Sequence, residues 1–554
     1  MTHWTVAPII LPAMLAAIIV LACRYHLTLQ RVFSMAGSLA LLGIAAGLFW
    51  QASDGTISIY QLGDWKAPFG IILVADRLST LMVLITATLA PLVLLYAIGS
   101  GWDKRGRHFH SLFQFQLMGI TGAFLTGDAF NLFVFFEVLL IASYGLMIHS
   151  GGAKRLRAGT QYVLYNLLGS TLFLFALGTI YAETGTLNMA DIATRVAALD
   201  VADSAGIRVA AVLLILVFAI KAALLPLHFW LPASYAEAPA PVAALFAIMT
   251  KVGAYSIIRV YTLVFPPDLE MTQGLFDTWL MPAALLTLAM GMIGVLGAKR
   301  LDRLVAFAVI GSMGMLLSAV AVFTPAGITA ALYYAIHSTF ATAALFLLVD
   351  VVRERRGGIG VRLEQAAPMA GGALVAGMFF VAAIAMTGLP PLSGFIGKLL
   401  IMDAAIDSPL IWWVWAVILS SSLVAVVGFS RAGSVIFWKA HQPAAEETAD
   451  AEQSEEAEVA SDPPPPASVL PMIAIGGLIT LLVATTIAAG PINRFLTATS
   501  AQLFSPAPYI DVVLKTPGRV VGKKADGEEA HDKDAKAEKD DAHGAGDDTG
   551  KEGH

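Results

Sequence analysis

Three ionisable residues stand inside apolar stretches of membrane length: Glu137 in NLFVFFEVLLIASYGL, Lys221 in RVAAVLLILVFAIKAALLPL and Lys251 in AALFAIMTKVGAY. A charged side chain at the centre of a bilayer costs at least about 2.5 kcal/mol, so it occurs there where it is paired, hydrated or functional. Carboxylates and amines that exchange protons inside a membrane are typical of proton and cation transport. The sequence therefore predicts transport chemistry, in which Glu137 accepts protons or pairs with a lysine.

Two buried lysines lie beside proline breaks. Lys221 precedes Pro226 by five residues, and Lys398 follows the double proline of AMTGLPPLSGFIGKLLIMDAA. Proline removes a backbone donor and breaks or kinks a helix, and irregular backbone at membrane depth is tolerated only where protein or water satisfies it. The freed carbonyls can orient a cation or water. The repeated pattern suggests an internal repeat, and a changing distance between Lys221 and Glu137 would switch the proton affinity of the lysine.

Three further residues are candidates for the same path. His337 lies in ALYYAIHSTFATAALFLLVD, and histidine titrates near neutrality. His228 and Glu237 lie where one apolar run ends and the next begins, and they are possible secondary sites. Each of these candidates also has a purely structural explanation. Glu137 would be hydrogen-bonded between helices, Lys221 would form a fixed pair with a glutamate, and Lys251 would be bonded to carbonyls. His337 would be a core histidine, and His228 and Glu237 would belong to an interfacial loop held by prolines.

The composition is that of a polytopic membrane protein. Of 554 residues, 57% are hydrophobic and only 13% are charged, against roughly a quarter charged in soluble domains. The net charge of -6 reflects acidic residues in segments 444–462 and 526–554, and no basic face for nucleic acid is evident. The only cysteine, Cys23, excludes a cysteine-ligated iron–sulfur cluster, a CxxC redox pair and an intramolecular disulfide. We expect no cofactor and no metal site.

Apolar runs of about 20 residues predict about fourteen spanning helices. They fall near 5–23, 32–50, 71–98, 110–127, 129–149, 161–182, 207–227, 240–264, 280–298, 303–323, 328–350, 371–402, 411–438 and 469–490. Basic residues concentrate in alternate loops, with Arg24 and Arg31 in the first of them, followed by DKRGRHFH (103–110), KRLR (154–157), KRLDR (299–303) and RERR (353–356). Because cytoplasmic loops are enriched in lysine and arginine, this alternation predicts both termini on the outer side of the cell membrane, which is the periplasm in a Gram-negative cell.

The remaining segments are polar. Residues 439–468 are acidic and proline-rich, which predicts a disordered cytoplasmic loop between the thirteenth and fourteenth spans. Residues 491–554 are predicted to form a charged tail, whose histidines are expected to be solvated. The N-terminus lacks a basic region and a clear cleavage site, so its first apolar run is predicted to be a retained helix.

The segment KAALLPLHFWLPASYAEAPAPVAALFAIMTKVGAY resembles the signature of the proton-pumping antiporter-like subunits of respiratory complex I and its relatives. TGDAFNLFVFFEVLLIASYGL, KRLDRLVAFAVIGSMG and MTGLPPLSGFIGKLLI are similar to the same superfamily, and the most similar branch is the D-type subunits of the Mrp-type multisubunit Na+/H+ antiporters. The resemblance implies an all-α fold with two inverted five-helix repeats, spans four to eight (110–264) and nine to thirteen (280–438). These follow three N-terminal helices (1–109), and helices seven and twelve would be discontinuous.

The resemblance also implies roles for the buried residues. Glu137 and Lys221 would form the coupling ion pair, Lys251 the central relay, His337 the next station and Lys398 the exit-side lysine. Relatives often place a lysine about five residues after His337, where this chain has Thr342, so the second half of the relay would depend on His337 and water. The implied partners are the other subunits of an antiporter complex, the transported Na+ and H+, and the lipid bilayer.

Together with the resemblance, the buried residues predict the proton-translocating subunit of a Na+/H+ antiporter that is driven by the proton motive force. Two other functions compete with this prediction. One is a pump subunit of complex I or a membrane-bound hydrogenase, with redox chemistry in other chains. The other is a scaffold whose buried charges only fix assembly. No GxxxxGK[ST] motif suggests nucleotide chemistry.

Overall fold

The computed structural model describes residues 3–439 and 469–518, so the predicted acidic loop, apart from its first residue, and the tail beyond 518 lie outside the described residues. The first part of the chain forms the helices α1 (Ala7–Leu21), α2 (Leu27–Ala52), α3 (Arg77–Gly99), α4 (Phe109–Leu125), α5 (Ala129–Met147), α6 (Ala153–Thr184), α7 (Met189–Ala197), α8 (Ala205–Lys221), α9 (Trp230–Glu237) and α10 (Ala240–Leu263). The remainder forms α11 (Asp277–Gly297), α12 (Leu301–Val320), α13 (Pro325–Arg355), α14 (Gly372–Thr387), α15 (Ser393–Ala404), α16 (Ile411–Gly433), α17 (Leu470–Ile487), α18 (Ala489–Leu503) and α19 (Ala507–Lys515). Two short strands, β1 (Ser58–Gln61) and β2 (Ile72–Ala75), complete the described structure.

Ten helices of the described part are long and apolar enough to cross a membrane. They are α2, α3, α5, α6, α10, α11, α12, α13, α16 with its one-turn extension to Trp438, and α17. Two shorter apolar helices, α1 and α14, accompany them. These helices confirm an all-α polytopic membrane protein. The total of about fourteen crossings stays a prediction, because several expected spans are short or broken helices.

Two of the expected spans are interrupted at the proline segments. The first break separates α8 from α9, and the second separates α14 from α15. The two broken helices run in opposite directions. Helix α9 ends beside the basic loops, where Glu237 contacts Arg300 at 3.3 Å, whereas α14 begins there, where Arg355 donates to the Ala370 carbonyl at 2.8 Å. Opposite directions are what the inverted repeats require, and the boundaries at 110–264 and 280–438 stay predictions.

The basic loops gather at one end of the bundle, here called the basic face (loops 103–110, 154–157, 299–303 and 353–356). Arg353 binds Asp302 at 3.2 Å, and Arg105 lies 3.4 Å from Glu354. Burial opposes the ionisation of Asp103, but hydrogen bonds from His110 and Arg31 outweigh it and hold the pKa of Asp103 below its usual range. Arg155 of the loop 154–157 donates to the Glu237 carbonyl at 2.8 Å, beside Arg300. These contacts place the four loops together, as the alternation of charge along the sequence predicted.

The opposite end, here called the hairpin face, carries β1 and β2. These strands pair antiparallel with Ser58 opposite Ala75 and Gln61 opposite Ile72. The third span was predicted to start near residue 71, but the helix starts at Arg77, after the strand. Asp76 is the reason, because its side chain accepts the Ser79 backbone N–H at 2.8 Å while the Ser79 hydroxyl accepts the Asp76 N–H at 2.9 Å. This capping box fixes where the helix begins.

The C-terminal region is more ordered than the sequence predicted. The fourteenth span was expected to end at 490 with a polar tail from 491, yet α18 and α19 extend the helical structure to Lys515. In the sequence, Pro491 suggests the end of a helix. In the structure it lies in the first turn of α18, where proline is tolerated. Leu496, Leu503 and Val513 are buried on these helices, so apolar packing holds the segment against the bundle.

A buried ion pair joins the hairpin face to the core. Arg259 on α10 binds Asp76 through two contacts, Nη1 to Oδ2 at 2.6 Å and Nη2 to Oδ1 at 2.8 Å. The guanidinium also lies 5.3 Å from the ring centre of Tyr509 on α19. Since Arg259 is 4% and Asp76 1% exposed, neither charge is hydrated in bulk water. Arg259 is therefore structural, and nothing local in the sequence marks Asp76 as its partner.

We expect the Asp76→Ala variant to be destabilised by about 3–5 kcal/mol, because removing one partner of a buried ion pair leaves the other charge uncompensated. The measurement is thermal unfolding of the purified membrane complex. Asp54→Ala, at an exposed carboxylate before β1, is the matched control and should unfold like the unmodified protein. Equal stability of the two variants would show that Arg259 finds another partner.

Candidate functional site

Glu137 and Lys221 are connected through α6. The Ser170 hydroxyl donates to the Glu137 carboxylate, and Lys221 Nζ donates to Asn166 Oδ1 at 3.2 Å. Asn166 and Ser170 are four residues apart on α6, so their side chains lie on one face of that helix. No ion pair with an N···O distance of 4.0 Å or less joins Glu137 to Lys221 among the described residues. In this structure each member of the coupling pair implied by the resemblance is therefore bonded to a different polar side chain on one face of α6.

The helix break places Lys221 at the last residue of α8. The backbone groups near the break have partners from neighbouring elements: Trp230 Nε1 donates to the Ile220 carbonyl at 3.0 Å, and the Leu225 N–H donates to Thr287 Oγ1 at 2.8 Å. A cation is favoured at a helix C-terminus because the carbonyl ends carry partial negative charge. The proline break therefore supplies an electrostatic site for the ammonium at membrane depth.

Lys251 lies in the centre of the bundle on α10. It is 1% exposed, and its Nζ has no hydrogen-bond partner among the described residues. A cavity of about 10 Å³ beside it is lined by Tyr255, Leu78, Leu316 and Ala331, among others, and this is about the space that one water molecule needs. Gly253 allows α10 to approach the end of α8, since a Cβ there would lie 2.8 Å from the Ala222 nitrogen.

His337 and Lys398 flank the second helix break. The Nδ1 atom of His337 lies 2.9 Å from the hydroxyl of Ser393, the first residue of α15. Lys398 Nζ donates to Ser422 Oγ at 2.6 Å and to the carbonyl of Thr387, the last residue of α14. At this break the end of α14 therefore contacts Lys398, and the start of α15 contacts His337.

Gly388 is required beside Lys398 for two reasons. Its φ of +71° lies in the left-handed region, which residues other than glycine adopt at a cost. A Cβ at this position would also lie 2.6 Å from both Cδ and Cε of Lys398. The lysine stem occupies the space that the missing side chain leaves.

The two secondary candidates lie apart from each other. His228 is buried in the first break, where its ring is tilted by 31° to that of Phe229 with ring centres 4.5 Å apart, and its Nδ1 has no partner among the described residues. Glu237 lies at the basic face, 3.3 Å from Arg300. The hydrogen bond to Asp302 raises the pKa of Arg300, so Glu237 faces a permanent cation. Its position indicates an ionic contact between α9 and the start of α12.

Several polar groups that hold the predicted stations were not expected from the sequence: the side chains of Asn166, Ser170, Ser393 and Ser422, and the backbone carbonyl of Thr387. A usable signal existed for two of them. Asn166 and Ser170 stand four residues apart in the otherwise apolar stretch YNLLGSTLFLF, which puts them on one helix face. For the others no such pairing is visible in the sequence, because their partners come from distant helices.

Comparison with known proteins gives a family. Residues 126–424 match the family model described as NADH:quinone oxidoreductase/Mrp antiporter, TM. The D subunit of a probable K(+)/H(+) antiporter of Rhizobium meliloti (strain 1021) is 36% identical over 93% of this chain and 98% of its own length. The D subunit of the Na(+)/H(+) antiporter of Bacillus subtilis (strain 168) is 40% identical over 79% of this chain and 87% of its own length.

A solved structure agrees with these relatives. A chain of the Mrp complex from Dietzia sp. DQ12-45-1b superposes with a TM-score of 0.82 at 29% identity, covering 93% of this chain and 100% of that one. The segment matched by the family model includes both helix breaks and every buried residue selected from the sequence. This chain therefore belongs to the NADH:quinone oxidoreductase/Mrp antiporter transmembrane family, in which the two relatives described above are named antiporter D subunits.

Proposed function

We propose that this chain is the proton-translocating subunit of a multisubunit monovalent cation/proton antiporter in the cell membrane, driven by the proton motive force. The observation that carries the proposal is the arrangement at the first break. A buried lysine at a helix end is held by Asn166, one turn from the serine that binds Glu137. The names of the relatives, which include both K+/H+ and Na+/H+ antiporter subunits, support exchange of a monovalent cation.

The proposed proton path follows Glu137, Lys221, Lys251, His337 and Lys398. At the start of this path, rotation of the Ser170 hydroxyl would break its bond to Glu137, and rotation of the Asn166 amide would break its bond to Lys221. In the centre, Lys251 has no fixed partner among the described residues, so no protein acceptor holds the proton of its ammonium in place. At the far end, Ser393 and Ser422 hold His337 and Lys398 on either side of the second break.

Transport by the intact complex is the direct test. The purified complex is reconstituted into vesicles, and proton movement is followed after addition of Na+ or K+ without any redox substrate. We expect cation-dependent proton flux in the absence of electron donors. Flux that requires an electron donor would instead support a redox-driven pump subunit, and an assembled complex without flux under either condition would support a scaffold.

The orientation in the membrane forms part of the proposal. The basic face is assigned to the cytoplasm by the positive-inside rule, which puts the hairpin face and α19 outside. A cysteine introduced at the exposed Lys515 should react with a membrane-impermeant thiol reagent in whole cells, whereas one at the exposed Lys154 should react only after the membrane is opened. The reverse pattern would invert the assignment.

We expect the Ser170→Ala variant to exchange cations for protons at least about tenfold more slowly, since a hydrogen bond to a charged group is worth roughly 1.5–3 kcal/mol. The change removes the hydroxyl that binds Glu137 and leaves the helix intact. Thr171→Val is the matched control, because this exposed neighbour bonds only to its own helix at Leu167. A normal exchange rate for Ser170→Ala in vesicles would remove Ser170 from the path.

A further inference from the structure

Two buried threonine hydroxyls in the centre of the bundle have no hydrogen-bond partner among the described residues: Thr250 on α10 and Thr342 on α13. Both residues are 0% exposed. Other threonines of the same two helices behave differently, since Thr262 and Thr339 each donate to the carbonyl one turn back at 2.7 Å. The hydroxyls of Thr250 and Thr342 are therefore turned away from their own helices.

The positions of the two threonines follow from a third element, α9. The ring of Tyr235 lies between α10 and α13, with ring centres 5.5 Å from Phe246 and 6.0 Å from Phe346. Thr250 comes four residues after Phe246, and Thr342 comes four residues before Phe346. Residues four apart share a helix face. Because α10 and α13 run antiparallel, both threonines lie one turn above Tyr235, toward the hairpin face, along the same interhelical gap.

This gap leads to the central relay. Thr250 immediately precedes Lys251, whose Nζ also has no partner among the described residues. Thr342 follows His337 by five residues on α13, which places it more than one turn nearer the basic face and on a different side of the helix. A buried hydroxyl without a hydrogen bond is costly, and buried polar groups that lack a protein partner are usually bonded to an internal water that makes two to four hydrogen bonds. Thr250, Thr342 and Lys251 offer that number of polar atoms.

We propose that Thr250 and Thr342 hold an internal water next to Lys251, and that they are positioning residues of the proton relay, an inference that rests on the proposed function. A proton leaving the Lys251 ammonium bonds to the water oxygen while one of the water's own protons moves on along the relay. The water is regenerated, so no other reactant is needed. The two hydroxyls fix the oxygen so that the transfer has a defined direction.

Isosteric variants of the intact complex in vesicles test the proposal. We expect Thr342→Val and Thr250→Val to slow cation-dependent proton flux about tenfold, the effect of losing roughly one hydrogen bond, and Thr342→Ser to restore it. The matched controls are Thr339→Val on α13 and Thr262→Val on α10, which lose only a bond to their own helix and should stay near the unmodified rate. Unchanged flux in the first two variants, or an equal loss in the controls, would overturn the proposal.

A second measurement does not depend on the variants folding. An experimental structure of the complex that resolves internal water should show an oxygen within hydrogen-bond distance of both hydroxyls, and its absence there would contradict the proposal. Lys251→Leu, measured in the same vesicles, separates the two inferences. If Lys251→Leu is inactive while both valine variants are normal, only the water assignment fails. If Lys251→Leu transports normally, the proposed relay itself fails.

Discussion

Replacement of Lys221 with alanine is expected to abolish cation-dependent proton flux while the complex still assembles. The ammonium is the charge that Asn166 binds at the end of α8, so the variant loses the group that takes and releases a proton there. Its effect on folding should be moderate, because the substitution removes a buried charge together with the cost of burying it. Flux in vesicles, compared at equal amounts of assembled complex, gives the measurement.

The Lys221→Arg variant distinguishes a proton station from a fixed charge. Arginine keeps the positive charge but does not release its proton in proteins. A relay predicts that Lys221→Arg is inactive, whereas a structural cation predicts that it functions. Lys154→Ala, on the exposed basic face, controls for the loss of a lysine as such. Normal flux through Lys221→Ala would contradict the relay, and failed assembly of that variant would favour the scaffold.

The membrane fold could be predicted from the sequence because its signals are local. Apolar runs mark the helices, and the two proline segments mark the breaks at 222–229 and 388–392. The hairpin and α18–α19 could not be predicted in the same way. The strand β2 is four apolar residues next to an apolar helix, so hydropathy merges the two. Helices α18 and α19 are only partly apolar, and tertiary packing around Leu496 and Val513 decides their structure.

The candidate site was predictable in its charges and less so in its partners. A lysine in an apolar run is conspicuous because its burial is costly, and this identified Lys221, Lys251 and Lys398. The cost of burying a charged side chain does not reveal which hydrogen-bond partners compensate for it. The sequence suggested Glu137 as the direct partner of Lys221, whereas in the structure Lys221 is bonded to Asn166 and Glu137 is bonded to Ser170. Neutral polar side chains are readily buried when they are hydrogen-bonded, so they attract little notice in a sequence.

The two breaks hold their lysines in different ways. At the first, Lys221 ends a helix and donates to both the side-chain amide oxygen and the backbone carbonyl of Asn166, at 3.2 and 3.4 Å. At the second, Lys398 lies inside α15 and reaches back to the last carbonyl of α14 and to a serine on α16. A carbonyl freed at a helix end is an obligatory acceptor that needs a donor. The position of Lys398 therefore depends on the path of the backbone through the second break.

For that reason Gly388→Ala is expected to reduce cation-dependent proton flux by at least about tenfold, through loss of hydrogen bonds to the ammonium worth roughly 1.5–3 kcal/mol each. The new Cβ would lie 2.6 Å from the Lys398 stem, so the side chain must leave its bonds to Thr387 and Ser422. The left-handed backbone at this position adds a cost of about 1–2 kcal/mol. Flux in vesicles and thermal unfolding of the complex measure the two effects separately.

Two further variants separate displacement of the lysine from backbone strain. Gly388→Asn tolerates the left-handed conformation better than alanine but carries the same Cβ, so its stability should recover while its flux stays low. Gly377→Ala, inside helix α14, which ends just before Gly388, meets no atom within 4 Å and should behave like the unmodified protein. If flux in Gly388→Asn returns together with stability, strain alone explains the defect, and Lys398 does not need this position for proton transfer.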